Sequence, residues 1–182
     1  MRNKAYDARS YRFTDKDAVL PDANIWLYLY GPAATPGSWT VTTYSNIFSR
    51  ILSAGTRMFL DVLVLVEFIN RFARLEMIRL QPTQKDFKAF RQSADFPPVA
   101  EAIETQVTQI LMNCQPINHP FAEWNLGGLL KDFATGNEDC NDQLIAENCR
   151  KHGLALLTND RDFTQGGISV FTANNKLLMA CP

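Results

Sequence analysis

The sequence predicts an α/β domain built on a parallel sheet, and three observations carry that prediction. Short apolar runs, such as Leu154-Ala155-Leu156-Leu157, alternate with longer segments of helical spacing. Turn formers such as Gly31-Pro32 and Gly153 stand between them. The chain has 182 residues, 46% apolar and 20% charged, which suits one domain with a full hydrophobic core.

Taken in order, residues 1–17 are polar and carry Arg2, Lys4, Arg9 and Arg12 among Tyr6, Tyr11 and Phe13. They read as an N-terminal arm or an added edge segment, ahead of a single domain over 18–182. Residues 19–21 read as a short buried strand. A helix over 24–30 follows, and Gly31-Pro32 ends it. "GPAATPGS" clusters Gly, Pro and Ser and is a loop. Residues 43–54 look helical, and Gly55 stops them. "RMFLDVLVLVEFINRFARLEMIRL" is apolar nearly all round, so periodicity alone fits a buried strand or a buried helix. Length splits it into a strand over 58–60 and a helix over 62–78 capped by Asp61, because a strand of twenty residues would be abnormal.

An added helical segment over 80–113 follows. It reads as a hairpin of helices over 83–93 and 99–113, on either side of Pro97-Pro98. Residues 115–117 are a candidate strand, and His119-Pro120 opens a helix to about residue 133. "GNEDCNDQLIAENCRKHG" is the clearest helix. Asn137 or Asp139 can cap it, and Gly153 sits where a C-cap glycine belongs. "LALLTND" is a buried strand ending in polar residues, "GISVFT" is another, and "KLL" is a candidate last short strand.

Composition excludes several functions. The net charge of −1 argues against a whole-surface nucleic-acid binder and leaves a local basic rim open. Cys114, Cys140, Cys149 and Cys181 form no CxxC pair, and His119 and His152 are the only imidazoles, so a zinc site is not expected. The cysteines read as free thiols of a reducing cytoplasm. "MRNKAYDARSYRF" has no apolar core of a signal peptide, and no run is long enough to span a bilayer, so no membrane role is expected. "PDANIW" has no glycine, against a phosphate-cradling loop after the first strand.

Four acids stand out. In open parallel sheets, ligands bind outside the carboxyl ends of the strands. Asp22 ends the first predicted strand, and Asp160 follows "LALL" after Thr158 and Asn159. Glu67 lies inside an apolar run. Asp142 has Ile145, Ala146 and Cys149 at i+3, i+4 and i+7, which puts it on the buried face of its helix. Each has a plain alternative. Asp22 can be a helix cap, Glu67 a charge reaching solvent, Asp142 a first-turn acid favoured by the helix dipole, and Asp160-Arg161-Asp162 a solvated turn. Four carboxylates at one sheet edge would repel each other, and a hard divalent cation relieves that repulsion. The four are therefore candidate metal ligands and catalytic residues for Mg²⁺ or Mn²⁺. Phosphodiester hydrolysis is favoured, because two such ions suit in-line displacement at phosphorus.

"LPDANIWL", "LVLVEFINRF" and "NDQLIAENCRKHGLALLTNDRDF" resemble the motifs of PIN-domain ribonucleases, including VapC-type toxins. The resemblance implies a three-layer α/β/α sandwich with a central parallel sheet. It also implies Mg²⁺ or Mn²⁺ dependence and cleavage of single-stranded or loop RNA, and a homodimer neutralised by an antitoxin. Its four active-site acids fall on Asp22, Glu67, Asp142 and Asp160. Asn24 and Thr158 match the polar residues that support them, and Asp162 matches a less essential acid. The arm over 1–17 and the extra length between Gly31 and Asn113 depart from the compact toxin pattern. Two rival functions stay open: a non-catalytic PIN-like protein that binds RNA or a partner, and a nuclease acting on DNA.

Arg71, Arg74 and Arg79 follow Glu67 and read as a solvated helix face, with an RNA groove as the alternative. Trp26, Tyr28 and Tyr30 read as core and dimer surface, Trp124 near Phe121 as core packing, and Asp139 as a cap.

Overall fold

The computed structural model describes all residues except 33, 120, 137, 138 and 182, and only the backbone of 121 and 132. The elements are β1 (Lys4–Asp7), β2 (Ala18–Pro21), α1 (Ala23–Tyr30), α2 (Trp39–Ser53), β3 (Arg57–Leu60) and α3 (Val62–Leu80). They continue with α4 (Phe87–Arg91), α5 (Phe96–Asn113), β4 (Gln115–Pro116), a 3-10 turn (Phe121–Glu123) and α6 (Leu126–Phe133). The chain closes with α7 (Cys140–His152), β5 (Ala155–Leu157), β6 (Ser169–Thr172) and α8 (Asn175–Ala180).

Six strands form one sheet in the order β1-β6-β5-β2-β3-β4, and every neighbouring pair is parallel. Helices flank it, the arrangement of a three-layer α/β/α sandwich. The central strands are apolar on both faces, with Val19, Leu20, Leu156, Leu157, Val170 and Phe171 all buried. Such continuous burial is what helices on both faces impose on a parallel strand. From β2 the chain builds outward through β3 to β4, whereas β5 and β6 fill the other side. The order therefore reverses between β2 and β5, and a crevice opens outside the carboxyl ends of strands at such a point. Asp22 and Asp160 follow those two strands.

Of the two readings of residues 1–17, an arm or an added edge segment, the structure has the edge segment: Lys4–Asp7 is an edge strand in register with Ser169–Thr172, and Ala8 and Phe13 belong to the core. Parallel backbone pairing, invisible in a polar segment, holds it there. Several other expectations need correction. Helix α2 starts earlier than predicted, because the Ser38 side chain accepts from the Val41 amide and so caps it. The first helix of the predicted hairpin shortens to α4. Pro97 and Pro98 lie inside α5 rather than before it, in the first turn, where no amide donor is needed. The helix predicted to run from His119-Pro120 divides into the 3-10 turn and α6; Pro120 itself lies outside the described residues. "KLL" belongs to α8, whose cap Asn174 accepts from the Lys176 amide. Trp124 is half-buried and packs edge-on against the His119 ring, with 4.1 Å between centroids, instead of entering the main core.

Other expectations match the structure. Asp61 caps α3, and Asp139 caps α7 by accepting from the Asn141 amide at 2.8 Å; Asn137 lies outside the described residues. Gly153 ends α7 at φ 63°, in the left-handed region that favours glycine. Trp26 is fully buried. Among the described residues, no helix is long and apolar enough to cross a membrane.

Candidate active site

The β2–β5 register builds the first half of the site. Pro21 pairs with Leu157, and the Asp22 amide donates to the Leu157 carbonyl at 2.9 Å. The next side chains, Asp22 and Thr158, therefore meet across the crevice. The Thr158 hydroxyl donates to Asp22 Oδ2 at 2.7 Å. Asn24 Nδ2 donates to the same oxygen and to Thr158 Oγ1. Thr158 Oγ1 also accepts from the Asp160 amide at 3.0 Å, and Asn24 Oδ1 accepts from the Asn159 amide at 3.1 Å. Asp22 Oδ1 accepts from the Ala23 amide at 2.6 Å. The plain reading of Asp22 as a helix cap is thus true, and its second oxygen stands in a polar network that a cap does not need.

The second half comes from helices. Glu67 is half-buried on α3 and pairs with Arg71 at 3.0 Å. Asp142, also half-buried, lies in the first turn of α7 beside its cap Asp139. Asp160 Oδ1 accepts from the Asp162 amide at 3.0 Å, and Asp162 itself is exposed beside Arg161.

Electrostatics join the halves. Burial pushes the Asp22 carboxyl up to about 6. The Thr158 hydrogen bond opposes this, and the charges of Glu67 and Asp160 add to it. Asp142 is pushed up to about 8, first by burial and then by repulsion from Asp22, Asp160, Asp139 and Glu67. The structure therefore brings Asp22 and Asp142 within charge range of each other and of Glu67 and Asp160. It does not bring them to a shared ligand point: among the described residues, no three His, Cys, Asp or Glu side chains are grouped to hold one ion. Asp22 is turned to Thr158, Asn24 and Ala23, and Glu67 to Arg71. An all-oxygen, mutually repelling donor set fits a hard cation in its chemistry, whereas the side chains as placed make no ready three-ligand group.

The arginines singled out on α3 have local partners. Arg71 pairs with Glu67, Arg79 with Glu76, and Arg74 lies 4.4 Å over the Phe87 ring. Beside Asp142, a cleft of about 890 Å³ opens between α6 and α7, lined by Trp124, Asn125, Phe133 and Gln143 among others. That volume falls within the ordinary range of ligand sites.

Sequence reasoning missed three contributors. Tyr44, from α2, donates to Asn159 Oδ1 at 2.9 Å and accepts from the Ala173 amide at 3.0 Å, so it braces the segment after β5. Asn159 also donates to the Tyr28 hydroxyl at 3.1 Å. Asp61 was legible only as a cap. It is fully buried, and its Oδ2 accepts from His119 Nδ1 at 2.8 Å and from Asn148 Nδ2. The available signal was a repeated local pattern, since "FLD" across the end of β3 parallels "LPD" across the end of β2.

No family model matches the chain, and no curated protein matches it. A solved structure, the crystal structure of PAE2754 from Pyrobaculum aerophilum, is similar at 17% identity and a TM-score of 0.46, over 90% of this chain and 96% of that one. At that level the likeness carries no argument about function.

Proposed function

We propose that this protein is a Mg²⁺- or Mn²⁺-dependent endoribonuclease that hydrolyses RNA phosphodiester bonds at the β2–β5 crevice. One observation carries the reading: Asp22 and Asp142 are held above the ordinary carboxyl range, first by burial and then by the charges of the other acids, Glu67 and Asp160 among them, and a bound cation would offset both. Asp22, Glu67, Asp142 and Asp160 would hold the metal. When bound, such ions lower the pKa of a water and stabilise a leaving 3′-oxygen. Thr158 and Asn24 fix the direction of the Asp22 carboxylate, and the Thr158 contact to the Asp160 amide holds the two strand-borne acids in one frame. The cleft beside Asp142 offers room for the flanking nucleotide.

The sequence motifs support a toxin-like role with an antitoxin partner and a homodimer. The exposed Leu126, Leu130 and Phe133 on α6 support a protein-binding face. The free cysteines support a reducing, cytoplasmic setting. A second reading, a non-catalytic RNA-binding or interaction protein, is favoured by one observation, the lack of a grouped three-ligand set among the described residues.

Labelled RNA and DNA, incubated with Mg²⁺, Mn²⁺ or EDTA, test the proposal. RNA is expected to be cut only with metal, leaving 5′-phosphate and 3′-hydroxyl ends. Undiminished cleavage in EDTA, or 2′,3′-cyclic phosphate ends, would rule the mechanism out. Cleavage of DNA alone would move the substrate, and no cleavage with any metal would favour the non-catalytic reading.

A further inference from the structure

Asp61, His119 and Asn148 lie outside the four-acid set, yet they join three distant parts of the chain. Asp61 is the N-cap of α3, and its Oδ1 accepts from the Leu63 amide at 2.6 Å. Its Oδ2 takes His119 Nδ1, from the segment after β4, and Asn148 Nδ2, from the second half of α7. Asp61 and Asn148 are fully buried, and the His119 side chain is 13% exposed. A carboxylate accepts only, so the His119 ring presents its N–H at Nδ1 to it. A buried acid among polar neighbours is a weak source of net stability compared with apolar packing. What such a cluster can supply is fixed geometry.

Its location says which geometry. Helices α3 and α7 pack against each other. Glu67 lies further along α3 from Asp61, and Asp142 lies as far back along α7 from Asn148. The hydrogen bond between Asp61 and Asn148 therefore joins the two helices that carry the helix-borne acids. The strand-borne acids have Thr158 and Asn24 between them; Glu67 and Asp142 have no comparable bridge among the hydrogen bonds described above.

We propose that Asp61, with His119 and Asn148, is a positioning cluster that holds α3 against α7 and so sets the spacing of Glu67 and Asp142 for a divalent cation. The inference rests on the metal-dependent reading of the site, but the tie between the helices can be measured without metal.

Two measurements on the full chain test it. The first is hydrogen–deuterium exchange of the metal-free protein, which reports local opening. The second is Mn²⁺ binding by calorimetry. The variants are His119→Ala, Asn148→Ala and His119→Gln, with Thr56→Val as a control. Thr56 is buried at the other end of β3, where its hydroxyl donates to the Thr14 carbonyl at 2.8 Å, so its loss weakens the fold away from the tie. His119→Ala and Asn148→Ala are expected to speed exchange at the start of α3 and across the second half of α7, and to weaken Mn²⁺ binding about ten-fold or more, the lower end of what outer-sphere partners cost. His119→Gln, whose amide can still donate to Asp61, is expected to recover most of the affinity. Thr56→Val should change neither.

Unchanged exchange in α3 and α7 in both alanine variants overturns the tie. Mn²⁺ affinity that stays within about two-fold of the parent, or that falls equally in Thr56→Val, overturns the purpose proposed for it. If His119→Ala does not fold, Asn148→Ala and His119→Gln carry the same comparison. A parent protein that binds no Mn²⁺ while the alanine variants still loosen α3 and α7 overturns the metal reading and with it the purpose proposed for the tie, while the tie itself stands.

Discussion

The two halves of the candidate site are built by different means. Asp22 and Asp160 follow adjacent parallel strands, so backbone register delivers them to one place, and Thr158 and Asn24 bond them into a single network. Glu67 and Asp142 ride on helices. Glu67 is paired with Arg71 rather than with the site, and Asp142 meets the other acids through repulsion. A strand end places a side chain by hydrogen-bonded pairing on both sides, which leaves little freedom. A helix places one through packing, which tolerates small shifts and rotations. The strand half is therefore the preorganised part, and on the proposed metal reading the helix half is the part that would have to adjust to complete a ligand set.

The strongest way to break this comparison is Asp22→Asn. On the proposed nuclease reading, losing the most hydrogen-bonded of the four carboxylates would remove several kcal/mol of transition-state stabilisation, so RNA cleavage in Mg²⁺ should fall by roughly a thousand-fold or more. The fold should survive, because asparagine still caps α1; circular dichroism checks this. Cleavage at the parent rate would make Asp22 purely structural.

Thr158→Val keeps the shape and removes the hydroxyl that links Asp22 to Asp160. Loss of such an outer contact should cost about 10–100-fold in activity or metal affinity. A smaller effect than that of Arg71→Ala would invert the ranking of the two halves.

The pH dependence of stability sharpens the electrostatic side. Asp22 and Asp142 have folded pKa values raised from 3.8 to about 6 and about 8. Above pH 3.8 the unfolded chain has released protons that the folded chain still holds. Stability from these groups is thus fully present below about pH 4, and is lost as pH rises through 6 and then 8. In EDTA the melting temperature should fall between pH 5 and pH 8. Asp142→Asn should flatten the upper part of that fall. A flat profile in the parent protein would mean that neither burial nor repulsion holds these two carboxyls above the ordinary range.

The smallest effect is expected from Arg71→Ala. A surface pair at i,i+4 contributes about 0.3–0.5 kcal/mol, so the melting temperature should drop by only about 1–2 °C. Activity should stay within about two-fold, since that energy corresponds to no more. A large gain in Mn²⁺ affinity would show that Arg71 holds Glu67 out of the site.

What the sequence determined by itself was local. Short apolar runs bounded by turn residues specified parallel strands. Caps and periodicity specified α3 from Asp61 and α7 from Asp139 to Gly153, and those elements set where each of the four acids sits along the chain. Such signals act over a few residues, because a cap is a hydrogen bond to the next turn and amphipathic spacing repeats within one helix. Short or polar segments lacked them. Lys4–Asp7 is a strand only because β6 pairs with it, and the apolar residues of "KLL" look alike in strand and helix until the Asn174 cap decides. The tertiary structure alone decided that β5 lies beside β2, so that Thr158 meets Asp22 from 136 positions away, and that Asp61, His119 and Asn148 converge. Those contacts depend on strand order and helix packing, which are settled by the burial of faces across the whole chain and are written in no single stretch of it.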